Sequence, residues 1–172
     1  MRKILFNDKY LLTQAVLDGT KTMTRRMLKD GTPLGNWEET VKHLPYKVGE
    51  VVAIAQSYYT IGKTQYDKFG NGVPGNSNKM FTRADLMPHH IKITDVKIER
   101  LQSISDDDIL REGVWQYPKL RAYHVSKATG FAPDVAFLTA REAFAYLIDR
   151  ISGKGTWESN PWVAAYSFKL VD

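Results

Sequence analysis

The chain of 172 residues contains no cysteine. Disulfides, thiolate zinc sites and cysteine nucleophiles are excluded together, and the composition suits a reducing, cytoplasmic interior. No run approaches the ~20 apolar residues that span a bilayer, and the opening stretch Met1–Asp8 turns polar too early for a signal peptide. Charge of one sign is also in short supply. Lys and Arg total 24 against 19 Asp and Glu, a net charge of +5 with no long basic block. That modest excess favours an anionic partner, nucleic acid first. The sequence shows neither an internal repeat nor a clean linker, and 43% of it is hydrophobic. The expectation is one domain over 1–172 with one real core.

What is present is a series of short strands broken by a few helices. Lys3-Ile4-Leu5-Phe6 reads as an opening strand. Asp8 is placed to cap a helix whose buried face is Leu12, Ala15, Val16 and Gly19, and Gly19 is a natural stop. Residues 30–49 read as loop, and Glu50 to Ala55 as a buried strand. Gly62 to Lys79 is rich in Gly, Asn and Ser and reads as a long mobile loop. In the strand that follows, the apolar phase slips from Ile91 and Ile93 to Val96 and Ile98, which predicts a β-bulge near Thr94-Asp95. Ser105 with Asp108, and Thr139 with Glu142, are helix-start boxes. Gly113 and Gly153 end those helices, and a last strand puts Tyr166, Phe168 and Leu170 on one face. The pattern predicts an α+β fold around a small, closed β-sheet.

One constellation carries chemistry. Gly19-Thr20-Lys21-Thr22-Met23-Thr24-Arg25-Arg26 fits Gly-x-Lys-x-x-Thr-x-Arg directly after a strand and helix. In that setting it resembles the signature of the ASCH domain family. Tyr46–Val52, Leu86-Met87-Pro88, Glu99–Asp108 with Glu112-Gly113, and Trp157–Val163 are similar to further family segments. Leu86-Met87-Pro88 looks like the form found in phage and prophage members. The resemblance implies a PUA-like small β-barrel with flanking helices, and RNA as partner. It also implies two activities known in the family, hydrolysis of the acetyl amide of N4-acetylcytidine and ribonuclease action. Carried onto this chain, the amidohydrolase set is Lys21, Thr24 and Glu112. Many phage-type members have an Arg-Glu pair where this chain has Ala55-Gln56.

The chemistry imposes its own conditions. Thr24 is a weak nucleophile unless a base takes its proton. Lys21 serves as that base only when neutral, which needs a depression of roughly three units, about 4 kcal/mol, from its usual ~10.4. Burial and Arg26 nearby supply such a depression, whereas a close Glu112 opposes it. Residues 21 and 24 meet only if the segment after Gly19 curls.

Two main readings stay open. One is a module that binds RNA or a modified nucleoside through a basic groove around Lys21, Arg25, Arg26 and the loop at 62–79, with Gln56 and Tyr58 as further contacts. The other is an amidohydrolase acting on an acylated nucleoside. Nuclease action by the same cations is a third. No cofactor motif is present, since Gly70 to Gly75 lacks the strand–loop–helix setting of a phosphate loop. His89-His90 cannot both face one site on a strand, so no metal is expected. The run Asp106–Asp108 is accounted for by a helix N-terminus. Among the aromatics, Tyr58-Tyr59, Trp37 and Trp115 are candidate stacking residues, and Trp162 a packing residue.

Overall fold

The computed structural model describes residues 1–119, 121–125 and 136–172. Its centre is a five-stranded mixed sheet in the order β1-β3-β4-β7-β2. These strands are β1 (Lys3–Ile4), β2 (Met23–Met27), β3 (Val51–Ile54), β4 (His90–Arg100) and β7 (Trp162–Leu170). β1 runs parallel to β3, and the other neighbours are antiparallel. β4 and β7 form the long central pair. Their register shifts between Ile93 and Asp95, which is the bulge that the slipping apolar phase predicts.

Among the described residues the sheet is open, and the expected closed barrel is not formed. β1 and β2 are its two edges and share no ladder. The reason is that β1 gives only two residues to pairing, Lys3 and Ile4 opposite Ala53 and Ile54. A side chain crosses the gap instead: Arg26 Nη2 donates to the carbonyl of Leu5 at 2.6 Å.

Helix α1 (Leu12–Leu17) starts later than an Asp8 cap would allow. The Asp8 carboxylate is engaged elsewhere. It accepts from the Thr13 hydroxyl at 2.5 Å and pairs with Lys79 at 2.7 Å, while a turn carries the chain to Leu11. Gly19, at φ 76°, ends the helix as expected. Helix α2 (Trp37–His43) lies inside the stretch read as loop. Asn36 caps it, accepting from the Glu39 amide at 3.3 Å. Thr40 is the one residue it fully buries, so no apolar periodicity announces it.

Ser105 caps α3 (Asp106–Arg111) and Thr139 caps α4 (Ala140–Ser152), each through the amide three residues on. The inward face of α4 buries Ala143, Phe144, Leu147 and Ile148. Trp157, on α5 (Thr156–Ser159), packs edge-on against Phe144 at 6.0 Å. A small hairpin, β5 (Trp115–Gln116) with β6 (Tyr123–His124), completes the described elements.

The segment 62–79 contains an isolated bridge between Tyr66 and Gly72 and a 3-10 turn at Pro74–Asn76. The buried Asn76 amide accepts from Gln65 N and donates to Gln65 O, both at 2.8 Å. Its two ends are therefore pinned together, and the tip around Lys68 is exposed. Hydrogen exchange measures how far the expected mobility extends. Slow exchange at the Gln65 and Asn76 amides with fast exchange at Lys68 is the expected outcome. Uniformly fast exchange across 62–79 would mean that the pins do not hold.

Candidate ligand-binding hollow

The signature segment is shaped by its first residues. After the left-handed Gly19, the amides of Thr20 and Lys21 both donate to the Ala15 carbonyl at 2.9 Å, which swings the chain out of α1. Thr22 N then donates to Arg111 O at 2.8 Å, and Phe168 N to Thr22 O at 2.9 Å. The segment is thus fixed between the end of α3 and β7 before β2 begins.

The basic side chains of this segment point inward. Lys21 is buried, and its ammonium donates to Met23 O at 2.8 Å, Glu112 O at 2.7 Å and Glu112 Oε2 at 2.8 Å. An ammonium has three protons, and each has an acceptor. Arg25 is buried too. Its guanidinium reaches Glu99 Oε1 at 2.6 Å, Asp108 Oδ2 at 3.1 Å and Glu112 Oε1 at 3.1 Å. Lys97 joins from β4, at 3.0 Å from Asp108 Oδ2. Register explains the meeting: Arg25 and Lys97 both lie opposite Ala165, on either side of it. The small alanine leaves room for both cations to converge on the carboxylates.

Burial pushes the Lys21 ammonium below its usual range, and Arg26 and Arg25 add to this, while the pairing with Glu112 opposes it. For Asp108, burial favours the neutral acid, but hydrogen bonds and charge from Lys97 and Arg25 prevail and hold its carboxyl below the usual range.

Beside this network lies a hollow of about 700 Å³. Phe6, Leu147 and Ile148 give it apolar walls; Lys21, Thr24, Arg26, Lys79 and Glu112 give it polar points. The Phe6 ring lies near two cations, 5.7 Å from Lys21 Nζ and 5.9 Å from the Arg26 guanidinium carbon. Thr24 and Arg26 share one face of β2, opposite Tyr166 and Ala164. Among the described residues, Thr24 Oγ1 has no hydrogen-bond partner, and Arg26 Nε is buried without one.

Lys21, Thr24, Arg25, Arg26 and Glu112 therefore meet at one place. They do not form a basic groove, because Lys21 and Arg25 are buried and spend their protons on carboxylates and carbonyls. Gln56 and Tyr58 lie elsewhere. Gln56 lines a second hollow, of about 190 Å³, with Gln14 and Thr60. Tyr58 is buried beneath Gly75, and its hydroxyl accepts from Arg83 N at 2.9 Å, so its ring has no free face for a base. Trp37 is exposed on α2. Trp162 is partly exposed, with Arg100 stacked 4.5 Å from its ring. His90 pairs with Asp172 at 2.6 Å.

Glu99, Asp108, Lys97 and Phe6 were not read as site residues from the sequence, and Lys79 entered only as the end of the loop 62–79. The third residue of Asp106–Asp108 differs from its neighbours in being buried. Only the structure shows that difference, so three identical aspartates in a row carried no signal of which one enters the network.

No family model matches the sequence, and no curated protein matches it. Among the described residues, no helix is long and apolar enough to cross a membrane. Among solved structures, the chain is similar to a DUF984 protein from Enterococcus faecalis, with a TM-score of 0.48 and 16% identity over 100% of this chain and 81% of that one. It is similar also to an ASCH domain from Lactobacillus crispatus, with a TM-score of 0.40 and 13% identity over 95% of this chain and 72% of that one.

Proposed function

We propose that the hollow beside Lys21 and Thr24 binds a nucleoside, either free or as an exposed residue of RNA. The observation that carries this reading is the pairing of apolar walls with the Thr24 hydroxyl and the Arg26 guanidinium on one hollow, where Arg26 Nε is buried with no partner of its own. A volume of about 700 Å³ lies within the range of small-ligand sites. Apolar walls suit the faces of a heterocycle, and the free hydroxyl and guanidinium N–H suit its polar edge. Lys21, Arg25 and Lys79 are spent on carboxylates, which leaves Lys9 and Arg26 as the lining cations with no ion pair among the described residues, too few to make the hollow a phosphate cluster. Nuclease action by Lys21 and Arg25 loses its basis for the same reason.

Amide hydrolysis is the second reading, favoured by the presence of Lys21, Thr24 and Glu112 on one hollow. Against Lys21 as the base stands its saturation: an ammonium donating to three acceptors has no lone pair to receive the Thr24 proton. Binding therefore ranks above catalysis.

Calorimetric titration with a panel of nucleosides, N4-acetylcytidine included, tests both readings at once. Saturable one-to-one binding is expected, weakened about tenfold or more by Thr24→Val, which keeps the shape and deletes the hydroxyl. The binding reading fails if wild-type protein takes up no nucleoside. Release of acetate from the same mixtures, lost in Thr24→Val, would promote the hydrolase reading.

A further inference from the structure

Between β3 and β4 the chain leaves the sheet and holds large aromatic side chains in solvent. Tyr59 is 61% exposed, Tyr66 66%, Phe69 76% and Phe81 59%. Exposed apolar surface gathered in one segment marks an interaction site. This exposure does not come from a segment without structure. Tyr58 is buried beneath Gly75, where an added Cβ would meet its ring at 2.7 Å. Asn76 pins Gln65 from inside. Lys3 reaches across from β1, and its ammonium donates to the carbonyls of Lys79 at 3.2 Å and Met80 at 2.7 Å. The aromatic side chains are thus presented on a braced support, which lowers the ordering cost of binding.

The charges of the segment name the partner. From Tyr59 to Arg83 there are four cations and one anion, Asp67; Lys79 is paired with Asp8 and Arg83 with Asp85, which leaves Lys63 and Lys68 for a partner. Lys63 and Lys68 are exposed and make no ion pair with a described residue, and Lys68 Nζ lies 4.9 Å from the Phe69 ring centroid. Aromatic faces for bases, interleaved with free cations for phosphates, are what a single-stranded nucleic acid requires. A duplex keeps its bases stacked and offers the rings nothing, and an apolar protein surface would leave the lysines without partners. The segment also touches the hollow, because Asn78, Lys79 and Met80 form part of its lining.

We propose that the excursion from Tyr59 to Arg83 is a stacking platform for single-stranded nucleic acid, leading one nucleotide toward the hollow. This deepens the nucleoside reading by making its natural ligand a residue within a strand. The platform itself can be tested apart from that reading.

Fluorescence anisotropy with labelled strands of ~12 nucleotides, within the range that such sites cover, supplies the test. Three probes of one sequence are used: single-stranded RNA, single-stranded DNA and the RNA duplex. Either single strand is expected to bind at least tenfold more tightly than the duplex. RNA and DNA binding alike would mean readout through bases and phosphates alone; a preference for RNA would add a contact to the 2′-hydroxyl. Alanine at Tyr59, Tyr66, Phe69 or Phe81 should weaken strand binding roughly tenfold wherever the ring carries a base. These side chains are exposed, so the variants should keep the wild-type melting temperature. Replacing Lys63 and Lys68 by alanine should flatten the logarithmic salt dependence by about 1.4, at ~0.7 per phosphate contact on a single strand. Free-nucleoside binding should be unchanged in all of these variants. Equal affinity for the duplex, or strand binding indifferent to the four aromatic substitutions, would overturn the platform even if nucleosides bind. Strand binding that depends on the aromatic residues, with no nucleoside bound by itself, would keep the platform and remove the hollow as its end point.

Discussion

Glu112→Gln should unfold with a free energy about 3–5 kcal/mol below wild type at pH 7, the cost of leaving buried charge without its partner. Two cations depend on this carboxylate, Lys21 at 2.8 Å and Arg25 at 3.1 Å, and both are buried. Glutamine keeps the shape and can accept from only one of them. The pH dependence identifies the cause. Burial already holds Lys21 below its usual range, and Glu112 is the partner that opposes this. Without Glu112 the Lys21 ammonium titrates lower still. A lysine depressed in the folded state costs stability in full below its folded pKa, because the unfolded chain binds the proton more tightly. The cost is relieved as pH rises from that folded value toward the ordinary ~10.4. The gap between variant and wild type should therefore narrow on the alkaline side. Urea unfolding at pH 7 and pH 9.5 measures it. A gap below about 1 kcal/mol, or one that widens with pH, would show that the pair does not bear on stability.

Arg25→Met should be destabilising to a similar extent at pH 7, again about 3–5 kcal/mol, with the opposite dependence on pH. The substitution removes a guanidinium shared by Glu99, Asp108 and Glu112 and leaves three carboxylates close together. In wild type, Asp108 is held below its usual range despite burial, because Lys97 and Arg25 bond its charged form. Such a group contributes stability that is present above the unfolded value near ~3.9 and is lost as pH falls through the folded one. Without Arg25 much of that contribution is missing at neutral pH, so wild type has more to lose on acidification. The gap should narrow as pH falls from 5 toward 3. The double variant Arg25→Met with Glu112→Gln should lose less than the sum of the single changes, since each removes the same contact. Additive losses would mean that the two side chains act independently.

The sequence made local features legible where one residue and its near neighbours decide the outcome. The bulge at Ile93/Asp95 followed from a phase slip within four residues. The caps at Ser105 and Thr139 and the turn at Gly19 followed from side-chain and backbone chemistry at single positions. Helix α2 was hidden because it lies on the surface and buries almost nothing. The electrostatic character of the site was read wrongly for a different reason. Lys21, Arg25 and Arg26 form a basic run, and such runs are usually solvated. The acids that bury Arg25 lie 74, 83 and 87 residues further along the chain. Only strand register opposite Ala165 and the placement of α3 bring them together, and no local pattern encodes that distance. Glu112 was singled out through the resemblance and not through spacing, and the structure puts its carboxylate 2.8 Å from Lys21 Nζ.

The unclosed edge between β1 and β2 gives the fold one compliant direction. A sealed barrel resists widening because every strand is tied to two neighbours by backbone ladders. Here the rim can part along a line crossed by the Arg26–Leu5 hydrogen bond, leaving every ladder of the sheet intact. That line borders the hollow, since Leu5, Phe6 and Arg26 all contribute to its wall. The edge that no ladder ties is therefore also an edge of the hollow, spanned by the Arg26–Leu5 hydrogen bond and by the Arg26–Phe6 contact.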